Sequence, residues 1–169
     1  MRPLAGVPGA ALPPESADTY AENALGKARA AARLTGALAL GDDSGLEVDA
    51  LGGAPGVRTA RYGGPGLDDA GRYRRLLEAL AGVPDGRRGA RFRCVIAVVA
   101  PDGAEHVVEG VAEGTITREP RGRGGFGFDP VFFYPPLGKT FAELSDEAKA
   151  EVSHRGRALR AARRVLAGS

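Results

Sequence analysis

The stretch from Arg91 to Ala100 constrains the fold of this chain more than any other. It is rich in strong strand formers and includes the unbroken apolar run Cys94-Val95-Ile96-Ala97-Val98-Val99. Pro101-Asp102-Gly103 follows with hairpin-turn chemistry, and residues 105–112 read as the returning strand. At least part of the chain must therefore be an antiparallel sheet. The surrounding segments have helical character. Thr19-Tyr20-Ala21-Glu22 matches a capping box, in which hydroxyl and carboxylate satisfy each other's backbone donors, and the Ala-rich sequence beyond it predicts a helix to about Leu34, ending near Gly36. Asp68 or Asp69 caps a second helix to about Ala81, with Leu76, Leu77 and Leu80 as its buried stripe.

Shorter elements fill the rest. Ala37-Leu38-Ala39-Leu40 suits a buried strand. Gly41 to Gly45 reads as a tight turn, and Leu46, Val48 and Ala50 alternate with Glu47 and Asp49 as a strand with one wet face. Thr115-Ile116-Thr117 is a further short strand, and residues 120–138 form a Gly- and aromatic-rich loop. Thr140 begins another capping box before a short helix, and Ser145 caps the next, to about Val152. The last helix is predicted from about His154 to Ala167, with Leu159, Ala162 and Leu166 facing inward. Residues 1–14, rich in Pro, Gly and Ala, have no period and read as an irregular N-terminus. The expected architecture is α/β: a central mixed β-sheet flanked by helices, in a single domain spanning residues 1–169.

Composition narrows the chemistry. Cys94 is the only cysteine, so no internal disulfide can form, and its apolar setting marks it as a small buried hydrophobe. One Cys and two His exclude a Cys/His zinc site, so any metal must rest on carboxylates, which means a hard ion such as magnesium or manganese. A net charge of +2 gives no strong support to nucleic-acid binding. No stretch approaches the ~20 apolar residues of a membrane span, and the start lacks the apolar run of a signal peptide. A cytoplasmic protein that binds neither membrane nor nucleic acid is expected.

Four constellations can carry chemistry. Asp42 and Asp43 are adjacent carboxylates behind a buried strand; a bound cation would offset their repulsion, and a base would then stand beside an activated water. The same five residues, Gly41 to Gly45, also fit an ordinary solvated turn. Asn23 and Lys27 share one helix face, and Lys27 suits a phosphate, although an exposed helical lysine is more often simply solvated. In Arg123-Gly124-Gly125-Phe126-Gly127-Phe128-Asp129-Pro130 the glycines permit close backbone approach and Phe126 offers a stacking face for a base; aromatics plugging the core fit the same pattern. Ser153-His154-Arg155 gathers donors at a helix start, where an oxo group or phosphate can be read.

The order and spacing of these motifs say more than any one of them. The series Thr19 to Ala24, Lys27-Ala28, Asp42 to Leu46, Gly52 to Gly56 with Ala60-Arg61-Tyr62, Ile116 to Pro120, Gly124 to Pro130 and Ser153 to Gly156 closely resembles the inosine/xanthosine triphosphate pyrophosphatase family, from about residue 15 onward. The resemblance implies hydrolysis of ITP, dITP or XTP to the monophosphate and pyrophosphate, with magnesium (or manganese) as cofactor, on an elongated mixed sheet in a homodimer. It implies Asp43 as metal ligand and general base, with Asp42 beside it and Glu15 as a further metal ligand; Lys27 toward the phosphates; Ser44 as a substrate contact; and Phe126, Gly127, Phe128 and Asp129 as the loop that holds the base. Lys149, His154 and Arg155 would read the base, since donors there reward the C6 carbonyl of hypoxanthine and xanthine and leave the adenine amine poorly matched.

Against that pattern, Met1 to Pro14 contains nothing like the Thr/Ser-x-Asn-x-x-Lys phosphate loop with which the family begins, and the first strand and helix are missing too. The expectation is an open sheet edge and impaired hydrolysis by this chain, with a nucleotide-binding homologue of little activity as the alternative. A pyrophosphatase for methylated pyrimidine nucleotides and an Arg-rich RNA-binding module fit the motifs less well.

Overall fold

The computed structural model describes residues 1–11 and 13–168. Its centre is one five-stranded sheet, β1 (Ala39–Val48), β2 (Gly89–Val99), β3 (Glu105–Ile116), β4 (Phe132–Tyr134) and β5 (Lys139–Thr140), in that spatial order. The four helices are α1 (Tyr20–Thr35), α2 (Asp69–Ala79), α3 (Asp146–Val152) and α4 (His154–Ala167). This is the expected α/β architecture, with one correction: among the described residues the sheet is antiparallel throughout rather than mixed, because hairpins and loops, not crossover helices, join β2 through β5. The hairpin closes as the sequence indicates, with the Ala100 N–H donating to the Ala104 carbonyl at 2.9 Å. Between β3 and β4, a single helical turn at Asp129–Val131 leads out of the Gly-rich loop.

The apolar run in β2 is continuous because helices cover both faces of the sheet there. Val95, Ala97 and Val99 pack with Ala24, Ala28, Ala31 and Ala32 of α1. Cys94, Ile96 and Val98 pack with Ala158 and Ala162 of α4. Two glycines let the helices sit this close. A Cβ on Gly41 of β1 would lie 2.4 Å from the Ala24 carbonyl oxygen of α1, and one on Gly110 of β3 would lie 2.2 Å from the His154 carbonyl oxygen of α4. The other half of the sheet carries a larger cluster, in which Leu46, Phe92 and Ile116 meet Leu76 and Leu80 of α2 and the aromatic residues Phe132 and Phe141.

Capping chemistry sets the helix ends. Thr19 Oγ1 accepts from the Glu22 N–H at 3.2 Å, Asp68 Oδ1 from the Gly71 N–H at 2.7 Å, Ser145 Oγ from the Ala148 N–H at 3.1 Å and Ser153 Oγ from the Gly156 N–H at 3.0 Å.

Several local expectations are corrected. Gly41 to Gly45 is not a turn but the middle of a single ten-residue strand that joins the two short strands expected on either side. Both glycines have strand dihedrals; they are there for close approach, Gly41 under α1 and Gly45 under the Gly56 carbonyl oxygen, 2.2 Å from a built Cβ. Of the strand expected at 115–117, Thr115 and Ile116 are the end of β3, because pairing with β2 from Glu105 to Thr115 outweighs the weak strand preference of Gly110 and Gly114. The capping box at Thr140 begins only a single 3-10 turn, Phe141–Glu143. On α4, Ala158 rather than Leu159 faces the sheet; Leu159 is 39% exposed, since only a small side chain fits where the helix lies on Gly110.

Candidate active site

The strand conformation of β1 decides the geometry of the site. Successive side chains of a strand leave from opposite faces, so Asp42 and Asp43 diverge. Asp43 points to α1 and Asp42 to α4. The expectation that both carboxylates hold one metal is therefore corrected: they stand on opposite sides of the sheet.

On the α1 face, Asp43 is 6% exposed. Its Oδ2 accepts from Asn23 Nδ2 at 2.9 Å and its Oδ1 from the Ser44 N–H at 3.1 Å. Asn23 is itself held, its Oδ1 accepting from the Ala17 N–H at 3.0 Å. Burial pushes the Asp43 carboxyl above its ordinary pKa and the neighbouring Glu15 charge adds to that, while the Asn23 bond, Lys27 and the Ser44 N–H pull it back. Lys27 reaches in from one turn further along α1. Its ammonium donates to the Asp42 carbonyl oxygen at 2.5 Å and forms an ion pair with Glu15. The structure thus brings together Asp43, Lys27 and Glu15, three of the expected residues, and adds Asn23. Only the helical spacing of Asn23 and Lys27 pointed to it.

These oxygens fit a hard cation. Among the described residues no group of three or more His, Cys, Asp or Glu side chains converges as a metal cage. Magnesium, however, is commonly bound by one or two carboxylates together with substrate phosphates. Asp43 and Glu15 would be the carboxylates of such a site, and their mutual repulsion is what a cation would offset.

The α4 face carries the second group. Phe126 is 64% exposed, with Lys149 Nζ 4.6 Å and Arg155 Cζ 5.9 Å from its ring centroid. Lys149 is ion-paired with the buried Asp129, which also accepts from the Phe126 N–H at 3.0 Å, so Asp129 shapes the loop and holds the lysine at once. Gly127 donates its N–H to Asp69 Oδ2 at 2.8 Å, which ties the loop to the start of α2. Ser44 shares the strand face of Asp42, opposite Cys94 in the register. Phe128 is corrected from a substrate contact to a core residue: it is 3% exposed and packs edge-on to Tyr62 at 6.3 Å.

His154 opens α4 and is 8% exposed, its ring stacked on Phe92 at 4.6 Å. Burial, with the adjacent Arg155 and Lys149 charges, lowers its pKa to about 3. It is therefore neutral at ordinary pH, and its Nδ1 has no hydrogen-bond partner among the described residues. Ser153 is the cap shared by α3 and α4. Cys94 is fully buried beneath this group; burial raises its thiol to about 11, which excludes it as a nucleophile.

Fold and site together define an α/β protein with a buried carboxylate–lysine centre on one face of a sheet-edge strand and an aromatic–cation cluster on the other. The Ham1 family model matches residues 2–165, and the chain belongs to that family. The match includes residues 2–14, which the motif comparison left outside the resemblance. The dITP/XTP pyrophosphatase of Desulforamulus reducens is 54% identical over 159 residues, covering 94% of this chain and 79% of that protein. The dITP/XTP pyrophosphatase of Shigella flexneri is 53% identical over 148 residues, 86% of this chain and 75% of its own. The structure of a HAM1 protein from Coxiella burnetii aligns with a TM-score of 0.87 at 46% identity, over 94% of this chain and 82% of that one.

Proposed function

We propose that this protein hydrolyses deaminated purine nucleoside triphosphates (ITP, dITP and XTP) to the monophosphate and pyrophosphate, removing them from the nucleotide pool. The observation that carries this is the oriented, buried Asp43. Each of its oxygens is fixed by one donor, and a lysine and a second carboxylate stand beside it. Such a carboxylate is a positioned general base.

In this reading Asp43 takes a proton from the attacking water as the water oxygen bonds to phosphorus. The α–β anhydride bond breaks and pyrophosphate leaves. Lys27 has two of its three N–H donors committed to Glu15 and the Asp42 carbonyl, and turns the third to a phosphate oxygen. Magnesium, with manganese as a substitute, would be held by Asp43 and Glu15 and would supply charge neutralisation on the phosphates. Phe126 stacks on the base. The Arg155 guanidinium reads its edge, with the buried neutral His154 beside it at the start of α4. A cytoplasmic homodimer completes the reading. The location is supported by the single buried thiol and by the absence, among the described residues, of any helix long and apolar enough to cross a membrane.

The test is release of pyrophosphate from dITP, XTP and dATP by the purified chain with magnesium, with Asp43→Asn as control. Preferential release from dITP and XTP, lost in the control, is expected. Binding of dITP without turnover would instead favour a nucleotide-binding homologue.

A further inference from the structure

We propose that Asp42 is a specificity-determining positioning residue, whose carboxylate holds Arg155 beside Phe126 and so sets which purine base the site accepts. The proposal rests on the pyrophosphatase reading above and deepens it. Three observations carry it. First, strand alternation puts the Asp42 carboxylate on the face away from Asp43, where its Oδ2 accepts from Arg155 Nη2 at 3.2 Å and ties β1 to the first turn of α4. Second, that same guanidinium lies over the Phe126 ring, together with Lys149. Third, the two cations are treated alike: Lys149 has Asp129 as its carboxylate partner, and Arg155 has Asp42.

The energetics point to orientation rather than stability. The Arg155 and Asp42 side chains are 48% and 49% exposed, and an exposed, solvent-screened pair of this kind adds little to the fold. An unpaired arginine side chain, by contrast, has much rotamer entropy to lose before it can hold any one acceptor. Anchoring one Nη on Asp42 leaves the remaining planar N–H donors aimed in a fixed direction. A C6 carbonyl can accept from them; an adenine amine cannot. Removing the anchor frees the arginine to adapt and weakens the preference for the oxo base, while the centre on the α1 face is left as it was.

Asp42 has a second contact that places it between the two faces. Its main-chain carbonyl accepts from Lys27, so one residue meets the phosphate-side lysine through its backbone and the base-side arginine through its side chain. The backbone contact survives any side-chain substitution, which makes Asp42→Asn a clean probe of the carboxylate alone.

The experiment compares Asp42→Asn, Asp42→Glu and Asp43→Asn in the full chain. In metal-free isothermal titration, Asp42→Asn is expected to bind IMP about tenfold more weakly with AMP little changed, since charge-assisted hydrogen bonds carry this order of discrimination. In kinetics its loss should appear in KM for dITP rather than in kcat, with the dITP-over-dATP ratio of kcat/KM down about tenfold. The magnesium concentration for half-maximal rate should stay where it is in the unaltered protein, and Asp42→Glu should recover part of the selectivity. Equal weakening for IMP and AMP, or none for IMP, overturns the proposal. A raised magnesium requirement with a matching fall in kcat also overturns it, by putting Asp42 at the cation. Full turnover by Asp43→Asn would instead strike at Asp43 as the base, and no release of pyrophosphate from dITP by the unaltered chain would strike at the pyrophosphatase reading itself.

Discussion

The two faces of β1 at Asp42 and Asp43 handle charge in opposite ways. On the α1 face a carboxylate is buried to 6% exposure, fixed at both oxygens and pushed toward protonation by its surroundings. On the α4 face the neighbouring carboxylate is half exposed and pairs with an equally exposed arginine. The first arrangement costs stability, because desolvation of a carboxylate is not fully repaid by its partners. The second costs little and contributes little. Identical side chains one residue apart thus stand as a desolvated, buried carboxylate and as half of an exposed ion pair, and the difference is which helix covers each.

That contrast is open to direct attack. Its largest expected consequence is that Asp43→Asn lowers turnover by about a thousandfold, the range for a positioned general base, and at the same time raises the melting temperature. The stability effect follows from the raised pKa. The folded state holds the Asp43 proton more tightly than the unfolded chain does, so above the folded pKa the ionised group opposes folding, and that penalty lifts as pH falls through it. An uncharged Asn avoids the penalty at every pH. A melting temperature that fell would show that Asp43 is well compensated and would remove the contrast.

Asn23→Asp is the sharper test of the same face. It keeps an acceptor for the Ala17 N–H but replaces the donor to Asp43 with a like charge. A fall in kcat of about 10–100-fold is expected, the usual cost of losing a residue that orients an active group, with retained folding checked by circular dichroism. On the opposite face, Phe126→Ala should raise KM for dITP by about tenfold with kcat nearly intact, given ~1–3 kcal/mol for stacking of a base on an aromatic ring. If kcat fell with it, the loop would belong to the catalytic centre and the division of labour between faces would fail.

The smallest effect concerns His154. Its folded pKa of about 3 lies below its unfolded value, so neutrality stabilises the fold fully above pH ~6.5 and the advantage is lost as pH falls below that. Between pH 6.5 and 5 the protein should lose about 1–2 kcal/mol of stability that a His154→Gln variant does not lose, measured by denaturant titration at the two pH values.

Much of this molecule was legible in its sequence. The hairpin, the capping residues Thr19 and Ser145, and the buried Cys94 all follow from local chemistry and short-range pattern, and the structure bears them out; of the two caps offered for α2 it takes Asp68, and it makes Ser153 the cap of α4. The errors share one origin. Gly-Asp-Asp-Ser-Gly has turn composition, yet it lies in a strand because β2 pairs with it from Ala39 to Val48 and α1 rests on Gly41. Phe126 and Phe128 are two residues apart in one loop; one is exposed over two cations and the other is in the core, a choice made by Tyr62 and the sheet rather than by the loop.

The sequence by itself determined which chemical groups are present, in what order, and where helices start, because capping and periodicity act over a few residues. Only the tertiary structure decided that Asp42 and Asp43 part company. A strand alternates its side chains between two faces, and what each carboxylate then meets comes from partners 20 and 113 residues away in the chain, Asn23 and Arg155.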